Sequence, residues 1–139
     1  MIELTPEMQT AVNNALADGV PCILATASAD GKPGLGYRGS MMAFDGQSLA
    51  YWERAKRGGL DNIRTSPYVI VLYRNPATSE AWKFLGRATV HEDGDIRDQV
   101  MARTVQRELD RDEERQGFAV MIELDRIETL AGQVVQSQD

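Results

Sequence analysis

Apolar positions along the chain alternate between two spacings, one suited to helices and one to strands. Thr5-Pro6-Glu7 is a helix start, with a capping hydroxyl, a proline suited to the first turn and an acid at the positive end. Met8, Val12, Ala15 and Leu16 then recur at helical spacing and Gly19 ends the run, which predicts a helix of roughly three turns. Cys22 to Ala27 reads as a strand, and Asp30-Gly31 as a hairpin turn. The predicted return strand spans Gly34 to Phe44, and a second turn at Asp45-Gly46 leads into a third strand over Leu49–Trp52. Together these make a three-stranded meander. Gly34, Gly36 and Gly39 weaken the middle strand unless something approaches its backbone closely, and a planar ring is one such object.

Beyond Trp52, Leu60 and Ile63 mark a short helix that stops before Pro67, because the residue preceding proline avoids the helical region. Tyr68 to Tyr73 is nearly continuous β-branched and aromatic, the composition of a strand covered on both faces. Ala81 to Val90 is a fifth strand with a bend or bulge at Gly86. A helix opens at Gly94-Asp95, carries Ile96, Val100, Met101, Val105 and Leu109 on one side, and fades into the charged run Asp110–Arg115, read as a solvated helix end. Phe118 to Leu124 alternates as a last strand, and Gln133 to Asp139 is a polar tail expected to fray. Six strands joined mainly by hairpins, with peripheral helices, suggest a closed antiparallel barrel. Side chains fill a barrel of that size, so a ligand belongs on its outer wall or in a cleft between subunits.

Composition narrows this further. With 139 residues, 42% of them hydrophobic, residues 1–139 form one domain, residues 1–19 being its N-terminal helix and 133–139 a flexible tail. The single cysteine, Cys22, forms no intramolecular disulfide and points to a cytoplasmic location, and neither a leader nor a membrane span is legible. A net charge of −6 argues against nucleic acid and anionic membranes as partners.

Against that acidic background, Arg54, Lys56 and Arg57 form a cationic bend between the third strand and the short helix. Helix N-termini present unpartnered N–H groups, so the bend suits a small anion, above all a phosphate; the alternative is three cations on a solvated turn. Trp52 and Trp82 are suited either to walling a planar ligand or to ordinary packing. His91 is the lone histidine, and neither a zinc or iron ligand cluster nor a Ser-His-Asp set is evident, so any chemistry must come from a bound cofactor.

Taken in order, Pro33…Gly39-Ser40, Tyr51-Trp52-Glu53-Arg54, Asn62-Ile63 with Pro67, Tyr73-Arg74-Asn75-Pro76 and Trp82…Gly86-Arg87-Ala88 resemble the pyridoxamine 5′-phosphate oxidase-like, FMN-binding split-barrel family over about residues 20 to 125. The resemblance implies a mainly β, α+β fold: a six-stranded antiparallel split β-barrel of Greek-key type with peripheral helices. It further implies a homodimer with FMN at the subunit interface and hydride transfer at the flavin to or from a small substrate. Flavin-ring contacts would fall on Arg38, Gly39, Ser40 and Met41; phosphate and ribityl contacts on Trp52, Glu53, Arg54, Lys56 and Arg57; partner contacts on Trp82 and Lys83. Arg38 would hydrogen-bond the pyrimidine edge of the flavin or else pair with Glu53 or another carboxylate. Some relatives use the deazaflavin F420, and a non-catalytic dimer holding flavin or haem is a further alternative. The chain departs from the family pattern in lacking a hydroxyl between Arg54 and Lys56 and in carrying Gly58-Gly59. True pyridoxamine phosphate oxidases add C-terminal Arg and His residues not matched here, which argues against that activity.

Overall fold

The computed structural model describes residues 1–56 and 58–138. The Thr5 hydroxyl accepts from the Met8 N–H at 3.2 Å and starts α1 (Pro6–Asn14), which buries Met8, Ala11 and Val12. Two hairpins follow: β1 (Cys22–Ala27) with β2 (Pro33–Arg38), then β3 (Met42–Asp45) with β4 (Ser48–Glu53). The first turn holds Gly31 at φ +85°, a conformation open to glycine without strain. Next come α2 (Gly58–Thr65), β5 (Tyr68–Asn75), β6 (Glu80–His91), α3 (Gly94–Arg103), α4 (Gln106–Leu109), β7 (Phe118–Glu128) and β8 (Val134–Ser137).

The strands form one antiparallel sheet in the order β2-β1-β5-β6-β7-β4-β3, with β8 added beside β7. The two hairpins are as the turn signals indicate, but the meander is not: β2 and β3 lie at opposite ends of the path. The second edge of β1 is taken by β5 and that of β4 by β7, so the expected strand 34–44 is cut in two. Residues 39–41 make the crossing, where the Ser40 hydroxyl bonds both the N–H and the C=O of Trp52. The sheet therefore stays open between β2 and β3, a split barrel rather than a closed one. The described residues hold eight strands instead of six. One extra comes from this division; the other is β8, which takes residues 134–137 of the stretch 133–139 expected to fray and is joined to the N-terminus by Gln136 bonding Glu3, while residue 139 lies outside the described residues.

Both faces of β4 are covered. Leu49 and Tyr51 enter the main core with Tyr73, Phe84 and Ile122, while Ala50 and Trp52 pack with Val100, Leu109 and Ala119 in a second cluster. The helix expected from Gly94 to Leu109 breaks at Thr104, whose backbone is extended and whose hydroxyl bonds the Val100 carbonyl. β5, expected to be covered on both faces, exposes Tyr68 and Ile70, and β2 exposes Leu35 and Tyr37. A continuous apolar strip thus lies on the outer face of the single chain. No described helix is long and apolar enough to cross a membrane.

Candidate functional site

At the ends of β2 and β4 the split in the sheet brings Arg38 and Glu53 together, with an N–O distance of 3.2 Å. Glu53 is only 5% exposed, so the pair is largely withdrawn from water. The guanidinium also lies 5.6 Å from the centre of the Tyr51 ring and donates to the Tyr37 carbonyl. Its approach needs two glycines: a Cβ on Gly36 or Gly59 would stand 2.9 Å from an Arg38 nitrogen. The other glycines of this stretch are crowded likewise, Gly34 by Thr26 and Asn62, and Gly39 by Glu108. Within one chain, then, the glycine-rich strand accommodates the protein's own side chains rather than an open slot for a ring. Of the two readings of Arg38, the ion pair with Glu53 is present.

These residues line a small cavity of about 110 Å³, formed by Tyr37, Arg38, Gly39, Ser40, Trp52, Glu53, Arg54, Ala55 and Glu108. Arg38 is compensated by Glu53, whereas Arg54 is exposed and has no ion pair among the described residues. Two buried polar atoms, Arg38 Nε and the hydroxyl of Tyr51 beneath that guanidinium, have no hydrogen-bond partner among the described residues. Burial, reinforced by the Glu53 charge, raises the Tyr51 pKa well above its ordinary value, so this phenol stays protonated.

Six of the expected residues meet there: Arg38, Gly39, Ser40, Trp52, Glu53 and Arg54. Trp52 and Ser40 hold the wall together. Trp52 is buried in the second core, donates its indole N–H to Asp112 at 2.9 Å and has the Arg97 guanidinium 4.9 Å from its ring centre. Met41 is buried in the main core and lines a neighbouring recess with Ser40 and Arg103. Lys56 does not line the cavity; its ammonium sits 4.0 Å from the centre of the Phe118 ring, which Arg64 also approaches. Arg57 lies outside the described residues.

Trp82 and Lys83 are separated by strand alternation, which sends successive side chains to opposite faces. Trp82 stacks on Tyr73 against the main core, with ring centres 5.9 Å apart. Lys83 pairs instead with Glu128 at 3.4 Å. Burial opposes ionisation of Glu128, but its hydrogen bonds and ion pairs with Arg126 and Lys83 prevail and hold its pKa below the ordinary value.

Two contributors were not legible in the sequence. Glu108 reaches Gly39 from α4, and Asp112 sits in the run read as a solvated helix end. Asp112 in fact accepts from Trp52, Gln116 and Gly117. These bonds outweigh its burial and lower its pKa. Gly117 offers the one local hint, since a Cβ there would collide with the Trp52 indole. His91 joins no cluster capable of holding a metal among the described residues.

The order of elements and the open sheet agree with comparisons to known proteins. The family model described as pyridoxamine 5′-phosphate oxidase matches residues 5–129. A crystal structure of a candidate pyridoxamine 5′-phosphate oxidase from Lactobacillus delbrueckii is 31% identical, covering 91% of this chain and 94% of that one, with a TM-score of 0.71. An FMN-binding protein from Syntrophomonas wolfei shares the fold at 8% identity, with 96% and 89% of the two chains covered and a TM-score of 0.63. A structure named F420 reductase does so at 17% identity, with 86% and 94% covered and a TM-score of 0.60. No curated protein matches significantly. An open antiparallel barrel, split where β2 gives way to β3, and a family match over nearly its whole length place this chain in the pyridoxamine 5′-phosphate oxidase family.

Proposed function

We propose that the chain binds FMN in a cleft completed by a second copy of itself and acts as a flavin-dependent oxidoreductase on a small substrate. The observation that carries this reading is the position of Tyr37. Exposed by 69%, it lines both the Arg38–Arg54 cavity and the neighbouring apolar groove with Ile23 and Leu72. Anion-binding groups are therefore continuous with a face that a second chain can cover.

The cavity fits part of the cofactor only. Ligand sites are usually about 300–1,000 Å³, so the 110 Å³ here suits the phosphate end. Arg54 supplies a cation with no ion pair among the described residues, and Arg38 adds oriented N–H groups. When bound, FMN supplies the hydride acceptor or donor. The protein's part is to orient the nucleotide through its anionic tail and to keep water from the ring with Tyr37 and the apolar strip. Lys83, on the outer face, is the member of the Trp82-Lys83 pair that a second copy can present to a shared cleft.

Purified protein that is yellow, releases FMN on denaturation and elutes as a dimer supports the proposal, and bleaching by NADH or NADPH separates an enzyme from a carrier. Replacing Arg54 and Lys56 together by Ala should abolish FMN retention without unfolding the protein; undiminished affinity overturns the assignment. The likeness to an F420 reductase favours a second reading on the same fold, which a colourless protein that binds F420 would select. A protein that binds neither refutes both.

A further inference from the structure

The cavity at the split is lined by charges of both signs. Arg38 and Glu53 cancel as a pair, which leaves Arg54 and Glu108 in the lining. Neither has an ion-pair partner among the described residues, so the two do not pair with each other. The fold holds Glu108 in its place. α3 ends at Thr104, whose backbone is extended, and the chain re-enters a helix as α4. Leu109 anchors that turn in the second core with Trp52, and the Arg115 guanidinium donates to the Leu109 and Asp112 carbonyls beyond it. Glu108, half-buried, lays its carboxylate against Gly39, where a Cβ would stand 2.2 Å from Oε1. The carboxylate accepts no hydrogen bond among the described residues. Carboxylate and phosphate oxygens are both acceptors, so a phosphate repels Glu108, and whatever part of a ligand meets it must carry an O–H or N–H.

We propose that Glu108 accepts hydrogen bonds from the ribityl hydroxyls next to the phosphate, so that the cavity recognises a polyol phosphate rather than a bare anion. The phosphate meets Arg54 and the hydroxyls meet Glu108. This rests on the flavin reading above and adds to it a residue that selects for the sugar-alcohol stem. Separated, uncompensated charges of opposite sign match a ligand that is anionic at one end and carries donors along its chain. A polyol lacking the phosphate still meets Glu108, whereas an anion lacking hydroxyls meets only the cation.

Titration of the full chain with FMN and with riboflavin, read by flavin fluorescence, tests this, because the two share the ribityl chain and differ in the phosphate. Glu108→Ala is expected to weaken both about tenfold, whereas Arg54→Ala weakens FMN alone. Gly39→Ala reaches the same end by another route. The atoms its methyl meets belong to the flexible Glu108 and Leu16 side chains, so it pushes the carboxylate aside and should reproduce the loss for riboflavin. Glu108→Ala removes no hydrogen bond within the described residues, and a thermal melt beside each titration verifies the fold. FMN affinity undiminished or raised in Glu108→Ala, riboflavin held no better by wild type than by that variant, or riboflavin affinity unchanged in Gly39→Ala overturns the proposal and leaves the flavin reading standing. Failure of wild type to bind either flavin overturns both.

Discussion

Replacing Arg38 by Leu tests whether the Arg38–Glu53 pair holds the split of the barrel. The substitution leaves the Glu53 carboxylate, 5% exposed, without its cation. Stranding one member of a buried pair costs about 3–5 kcal/mol, and loss of the stacking on Tyr51 adds to that. Glu53→Gln should cost less, because Arg38 is a fifth exposed and can draw on water. The double variant leaves no unpaired charge and should recover most of the loss. For a slope of about 2 kcal/mol/M, a penalty of about 4 kcal/mol lowers the urea midpoint by about 2 M. Tryptophan fluorescence and circular dichroism, recorded at one protein concentration so that association does not differ between variants, give the midpoints and slopes. A shift under about 0.5 M for Arg38→Leu, or a double variant no more stable than that single one, would refute the argument.

Other outcomes follow from the same geometry. Gly86→Ala places a Cβ 2.3 Å from the Glu123 carbonyl oxygen at the β6–β7 bulge, where only backbone movement relieves it; a loss of about 3 kcal/mol, or about 10 °C in Tm, is expected, and an unchanged melt would count against the register. The lowered pKa of Asp112 contributes stability that is present above the ordinary carboxylate pKa and is lost as pH falls through the folded value. The stability gap between wild type and Asp112→Asn, followed by Trp52 fluorescence, should therefore narrow between neutrality and about pH 3; a gap independent of pH would show that the charge is not what matters. Cys22 is fully buried, with burial pushing its thiol up to about 12, so it should resist a thiol reagent in the native state and react once in urea. Rapid native labelling would contradict its placement.

What the chain settled by itself was local. The cap at Thr5, the turns at Asp30-Gly31 and Asp45-Gly46, the stop before Pro67 and the alternation from Phe118 rest on neighbours in sequence, and each appears where the pattern puts it. The cationic bend is likewise readable, since charge spacing is a property of the string. Tertiary structure decided the rest. Whether β2 continues into β3 depends on which strands claim the free edges of β1 and β4, and β5 and β7 are distant in sequence. The segment from Gln133 reads as a tail because its partners are Glu3 and the far end of β7. Whether Trp52 walls a ligand or packs is open in the string; only the fold shows Asp112, sixty residues on, holding its indole N–H. The sequence leaves Arg38 a choice between a ligand and Glu53, and only the split, which brings the two charges within 3.2 Å, shows the pair formed. Local pattern fixes backbone preference because those energies act over a few residues. Pairing of edges and burial of charge depend on which distant residues share the space, and that follows only from the folded chain.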